Sequence, residues 1–230
     1  MAICIDFHFA RHCACVIAPR VRQPSLILLS CAAAWASPAR AAEEETQYRI
    51  SASVAKSMSS TVDAAFSVSQ RYRSGADQTL MRASVDKELS GHLSIGGGIA
   101  YSETAGVSEI RPHQQLELRF GMISLRTRVE QRFFENLPRT EVRLRQRLQA
   151  SVPVNEGTKV VVGTELIYVA RSRGRGENSR LSGLRASFEI RRTISAHAEA
   201  RIGYLHSRSL RNGISDRVTH SPQLGMALRY

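Results

Sequence analysis

From Ala42 onward, apolar and polar residues alternate in one short window after another. Tyr48, Ile50, Ala52 and Val54 share one face, and Ala64, Phe66, Val68 and Tyr72 share the next. Met81, Ala83, Val85 and Leu89 follow, then Leu93, Ile95, Ile99 and Tyr101, then Leu116, Leu118 and Phe120. Later windows run through Val160, Val162, Leu166 and Tyr168, through Leu184, Ala186, Phe188 and Ile190, and through Ile194, Ala196, Ala198, Ile202 and Tyr204. A period of two is the mark of a strand with one apolar face. The clearest case spans Gly121 to Ala150. In its first arm Ile123, Leu125, Thr127 and Val129 alternate with Ser124, Arg126, Arg128, Glu130 and Arg132. In its second arm Val142, Leu144 and Leu148 alternate with Glu141, Arg143, Arg145 and Arg147. The chain reads as all-β.

Alternation fits a soluble sandwich, with apolar faces buried together, and equally a transmembrane barrel, with apolar faces turned to lipid. Three features favour the barrel. The first is the front of the chain. Arg20 and Arg22 precede an apolar run, Leu26 to Leu29, which continues through Ala32, Ala33 and Ala34. Ala39-Arg40-Ala41 and the acidic Glu43-Glu44-Glu45 follow. A positive segment, a short apolar segment and an A-x-A site describe a secretory signal peptide, here 1–41, cut after Ala41. The apolar run is too short to cross a bilayer. Residues 1–19 form a long preamble, which suggests a true start at a valine such as Val16 or Val21. A competing expectation is lipidation at Cys31, preceded by Leu28-Leu29-Ser30. All four cysteines lie within the first 31 residues, so the exported part 42–230 carries no thiol, as suits passage through an oxidising compartment.

The second feature is the last strand. Leu224, Met226, Leu228 and the terminal Tyr230 alternate, a pattern expected to act as the barrel-insertion signal. The third is loop rhythm. Short turns near Ser90-Gly91, Gly121 and Arg192-Thr193 alternate with longer polar loops, Glu103 to His113, Arg171 to Arg180 and Ser207 to Arg217. Short turns on one side and long loops on the other is the habit of outer-membrane barrels. The windows number about eleven. Bacterial single-chain barrels have even counts, so ten or twelve strands are expected, within a range of about 10–12. Tyr48, Tyr72, Tyr101, Tyr168 and Tyr204 fall near window ends, where an interfacial aromatic girdle would sit.

The expected fold is therefore a transmembrane antiparallel up-and-down β-barrel over 42–230, preceded by a cleaved signal peptide. It would be a monomer in the outer membrane, in contact with lipid and lipopolysaccharide, inserted by the barrel-assembly machinery.

Charge refines the picture. The net charge is +12, and almost all of the positive charge is arginine. A basic chain first suggests nucleic acid. Here, however, the arginines recur on one face of successive strands, usually near a glutamate, which argues against a nucleic-acid groove. Parity directs Glu117, Arg119, Arg126, Arg128, Glu130, Arg132, Glu141, Arg143, Arg145, Arg147, Glu165, Arg185, Glu189 and Arg191 into the lumen, with His197, Glu199 and Arg201.

Certain runs carry a family resemblance. They are Arg126-Thr-Arg-Val-Glu-Gln-Arg-Phe133, Arg143-Leu-Arg-Gln-Arg-Leu148, Gly163-Thr-Glu-Leu166 and Gly203-Tyr204. In these the chain resembles the proteobacterial outer-membrane barrels grouped as domain of unknown function 2490, over most of its length after residue 41. It departs from them in lacking a tryptophan near the first strand. The resemblance implies an outer-membrane barrel and brings no established activity.

The first functional expectation is that Arg–Glu pairs brace a narrow lumen. The second is a narrow passive pore whose excess arginine attracts anions. No cofactor is expected. An enzyme acting on lipid or lipopolysaccharide is a weaker alternative: His206-Ser207 and Ser209 sit at a strand end, without a placed carboxylate. His92, His113, His197 and His220 show no metal-ligand spacing. Arg171, Arg173, Arg175 and Arg180 share one outer loop and could hold lipopolysaccharide phosphates.

Overall fold

A computed structural model describes residues 42–174 and 177–230. The expected signal peptide, Cys31 and Trp35 lie outside the described residues. Eleven strands follow one another: β1 (Glu43–Ser57), β2 (Val62–Arg73), β3 (Gln78–Ser90), β4 (Leu93–Thr104), β5 (Val107–Phe120) and β6 (Ile123–Phe134), then β7 (Glu141–Asn155), β8 (Thr158–Arg171), β9 (Arg180–Ser195), β10 (Ala198–Ser209) and β11 (Arg217–Arg229). Each pairs antiparallel with the next, and β1 closes on β11 to complete the barrel.

The even strand count expected from the sequence is wrong, and the eleven windows are eleven strands. An odd number of up-and-down strands leaves the first and last pointing the same way. Accordingly β1 and β11 pair in parallel, from Glu43↔Arg217 to Ala55↔Arg229. Parallel ladders are slightly weaker per residue. This seam carries extra fastening: Glu43 binds Arg211 at 2.9 Å and Arg217 at 3.0 Å, and Tyr230 exchanges backbone hydrogen bonds with Ala55 and Ser57.

The connections alternate between two ends. One end carries 58–61, 91–92, 121–122, 156–157 and 196–197; the other carries 74–77, 105–106, 135–140, 172–179 and 210–216. Two loop expectations change. The predicted long loop from Glu103 to His113 is a two-residue turn, Ala105-Gly106, with β4 and β5 in register from Thr104↔Val107 onward. Both turn residues have positive φ, as a tight hairpin of the primed type demands. Glu109, Arg111 and His113 look loop-like only because their polar side chains face inward. The turn expected near Arg192-Thr193 lies later, at Ala196-His197, so β9 runs to Ser195.

Polarity is inverted relative to a soluble domain. Ile50, Ile99, Ile202 and Leu224 on the outer face are each more than half exposed. Glu109, His113, Arg128, Glu130, Glu141 and Glu165 are buried inside. Five of the six tyrosines, all but Tyr230, lie toward the longer-loop end, and Tyr48 and Tyr72 are direct cross-strand partners. A small apolar patch does reach the lumen, through Val161, Ile167 and Val169 of β8.

Candidate functional site: an arginine-lined lumen

The interior holds a cavity of about 520 Å³. It is lined by thirteen arginines and three glutamates, with serines from β1 and β2 opposite them. A second cavity of about 540 Å³ opens toward the longer-loop end and shares Arg73, Arg132, Arg143 and Arg185 with the first.

The wall formed by β5 to β9 is an ion-pair lattice, built because period-two arginines on one strand meet period-two acids on the next. Glu109 accepts from Arg111 at 2.6 Å and from Arg132 through both carboxylate oxygens. Arg132 continues to Glu141 at 2.9 Å, and Arg143 closes on Glu141 at 2.5 Å. Deeper in the barrel, Arg145 joins Glu130 at 3.2 Å to Glu165 at 2.7 Å. Glu165 also faces Arg185 at 3.3 Å and Arg126 at 3.7 Å. Glu109 and Glu141 each answer two guanidiniums, Glu165 three, and Glu130 one. This makes buried carboxylates tolerable, since an isolated one would cost far more than it gains.

Of the residues that parity directed inward, Arg126, Arg128, Glu130, Arg132, Arg143, Arg145, Arg147, Glu165, Arg185 and Glu189 line the central cavity, and Glu141 lines the outer one. Arg201 also lines the central cavity. Glu117, Arg119 and Arg191 line neither. They pair near the short-turn end, Arg119 with Glu117 at 2.8 Å and Arg191 with Glu189 at 2.8 Å. Glu199 pairs there with Arg201 at 3.0 Å and Lys159 at 2.9 Å. His197 is not a lumen residue: it occupies the β9–β10 turn and stacks on Tyr230.

Five lumen arginines escaped the sequence reading: Arg49, Arg71, Arg73, Arg82 and Arg111. The signal was present, because Arg49-Ser51-Ser53 and Arg71 with Ser69 and Ser67 obey the same parity. Serine-rich strands with only one or two arginines simply lack the repeated charge of β6 and β7. Arg128 also differs from its neighbours. Its Nε and Nη2 donate to Gln115 Oε1 at 3.1 and 2.6 Å, and Gln115 Nε2 donates to Asp86 at 2.5 Å. Its nearest partner is thus a neutral amide.

The weighed catalytic pair does not form. His206 and Ser207 are neighbours in a strand, so they point to opposite faces. Ser207 and Ser209 line the outer cavity, whereas His206 packs edge-on against His220, 5.2 Å between centroids, on the outside. Among the described residues, no cluster of three His, Cys, Asp or Glu could hold a metal. In the 172–179 loop, Arg173 lies over the Phe134 ring, and Glu177 pairs at 3.3 Å with Arg180, the first residue of β9. Arg171 donates to the Thr140 carbonyl at 3.0 Å, and Arg175 is outside the described residues.

The barrel is similar to a solved structure of the NanC porin in a rhombohedral crystal form. The two are 10% identical, with a TM-score of 0.53, over 75% of this chain and 91% of that one. No curated protein matches the chain. A family model does match, over residues 46–218: the chain belongs to the family "Protein of unknown function (DUF2490)".

Proposed function

We propose that the protein is an outer-membrane barrel that forms a narrow passive pore with a preference for anions. The exposed apolar belt calls for a hydrocarbon surround rather than water. The signal-peptide features of 1–41 support export. The outward Leu224, Met226, Leu228 and Tyr230 support recognition by the barrel-assembly machinery. The short-turn end then faces the periplasm and the longer loops face outward. A single chain sits among lipid and lipopolysaccharide, needs no cofactor, and catalyses no reaction. The porin-like fold fits passive transport.

One observation carries the pore over a purely braced plug. Bracing needs arginines and acids in balance, yet the central cavity has thirteen arginines to three glutamates. A surplus of cations in a low-dielectric tube concentrates counter-ions, and arginine rings favour anionic solutes.

The test is single-channel recording of the purified protein in a planar bilayer under a salt gradient. Discrete steps with an anion-leaning reversal potential are expected. An inserted barrel that conducts nothing would leave bracing as the role of the lattice.

A further inference from the structure

The lumen arginines are sorted. Those on β5 to β9 mostly meet carboxylates, while Arg49 on β1, Arg71 on β2 and Arg82 on β3 meet none. Among the described residues these three make no ion pair and no side-chain hydrogen bond, and the Nε of each is buried without an acceptor. Arg49 and Arg71 are direct cross-strand partners. Their Cα atoms are therefore about 5 Å apart, a spacing at which like charges destabilise a sheet. The register thus sets two arginines side by side, and the buried Nε of each has no hydrogen-bond partner. Arg128, held only by the neutral Gln115, lines the same cavity.

Such an arrangement costs stability unless something negative enters. An acid from a neighbouring strand would relieve it, as Glu165 does for Arg145, but the lumen positions two residues to either side are Gln47 and Ser51 on β1, Ser69 and Arg73 on β2, and Leu80 and Ser84 on β3, none of them acidic. Serines leave room and add donors without adding charge. We infer that Arg49, Arg71, Arg82 and Arg128 form a binding site in the lumen for a small solute bearing two or more carboxylate or phosphate groups. This deepens the pore reading and rests on it for the solute's route, though not for the site itself. Guanidinium forks match both kinds of oxyanion through paired N–H···O bonds. A cavity of about 520 Å³ is the size of a small-molecule site. One multivalent anion would fill it, whereas a monovalent ion would satisfy only part of the cluster.

The experiment uses the full chain, exported and purified in detergent, at about 0.1 M salt so that screening stays near 10 Å. Citrate probes carboxylates, inorganic tripolyphosphate probes phosphates, and acetate is the monovalent control. Citrate or tripolyphosphate should interrupt the chloride current at concentrations at least about tenfold below acetate, since each added charge-assisted hydrogen bond is worth more than 1.4 kcal/mol. Whichever probe acts identifies the chemical class. The variant Arg49→Gln/Arg71→Gln/Arg82→Gln should lose the block, while the loop variant Arg139→Gln keeps it. Should the barrel conduct nothing, the pore reading falls, and the site is tested by unfolding instead. Either multivalent anion should then raise the unfolding midpoint of the native chain but not of the triple variant. If the triple variant fails to fold, Arg71→Gln alone removes the directly opposed pair; it should fold at least as well as the native chain and respond less to both anions. Equal responses from native and variant proteins, or no response to either multivalent anion, would overturn the site.

Discussion

His197 stacks on Tyr230 with ring centroids 5.4 Å apart and planes 13° from parallel. Its Nδ1 lies 2.9 Å from the Arg229 carbonyl oxygen, and the Arg229 N–H donates back to the His197 carbonyl. Among the described residues the same device recurs once: His92 in the β3–β4 turn stacks on Phe120, with Nδ1 3.0 Å from the Arg119 carbonyl. Each histidine clips the last aromatic of the strand next to its hairpin. At His197 the clip holds the end of β11, which also forms the parallel seam. Replacing His197 by Ala should cost about 1 kcal/mol, the scale of one ring pair. It should also slow the appearance of the folded, heat-modifiable gel band. Circular dichroism suits the measurement, because residues 42–230 contain no tryptophan. Unchanged stability would show that the stack is ornamental.

Ion pairs in the lattice should differ sharply in weight. Glu109 is buried and serves both Arg132 and Arg111. Glu109→Ala strands Arg111, leaves Arg132 with Glu141 alone, and should cost on the order of 3 kcal/mol. Arg119 is 56% exposed in its pair with Glu117, so Arg119→Gln should change stability by less than about 1 kcal/mol. Unfolding midpoints in urea give both values. Equal effects would mean that the lattice is hydrated throughout.

Gly98 sits where β3, β4 and β5 press together. A Cβ there would fall 2.2 Å from the Ala83 carbonyl oxygen and 2.9 Å from the His113 ring. Backbone cannot yield as a flexible side chain does, so Gly98→Ala should destabilise by about 2 kcal/mol or more. Gly91, with nothing within 4 Å, is the control, and Gly91→Ala should be near neutral. A native-like midpoint for Gly98→Ala would show that β4 can shift.

Arg128 and Arg145 separate selectivity from stability. Arg128→Glu removes no ion pair, since Arg128 donates only to Gln115. It should shift the reversal potential toward cations and leave the barrel folded. Arg145→Glu breaks the link between Glu130 and Glu165 and adds a third carboxylate beside them, so it should impair folding first. Selectivity that ignores Arg128→Glu would place the filter elsewhere.

In the 172–179 loop, the Ser172 hydroxyl donates to Glu177 and holds its carboxyl below the ordinary value of 4.5, with Arg180 adding to the effect. A depressed carboxylate contributes its contact above the unfolded value and loses it only as pH falls through the lower, folded value. The loop contact should therefore survive at pH 4.5 and release below it. The Gly174 amide, which donates to Ser172 Oγ at 3.3 Å, would report this by NMR. A midpoint at or above 4.5 would refute the contact.

The strands were legible because each keeps a strict period of two, and β6 and β7 announce both faces by repeating arginine against valine and leucine. Misreadings arose where one face was uninformative. Glu109, Arg111 and His113 gave β5 a loop's composition at its start, and the two-residue turn before it rests on the left-handed φ of Ala105 and Gly106. Arg49, Arg71 and Arg82 were hidden among serines, without the arginine repeat that marks β6 and β7.

What the sequence by itself determined is local: strand identity, the separation of an apolar from a polar face on each strand, and the arginine face of β6 and β7. These follow from alternation, which depends only on neighbours along the chain. What only the tertiary structure decided is which faces meet. The parallel closure of β1 on β11 follows from a strand count and a register that no window contains. The division of the lumen into a paired wall and an unpaired one depends on Arg49 standing opposite Arg71 while Arg145 stands between Glu130 and Glu165. Charge pairing acts through space, and only the closed barrel sets those distances.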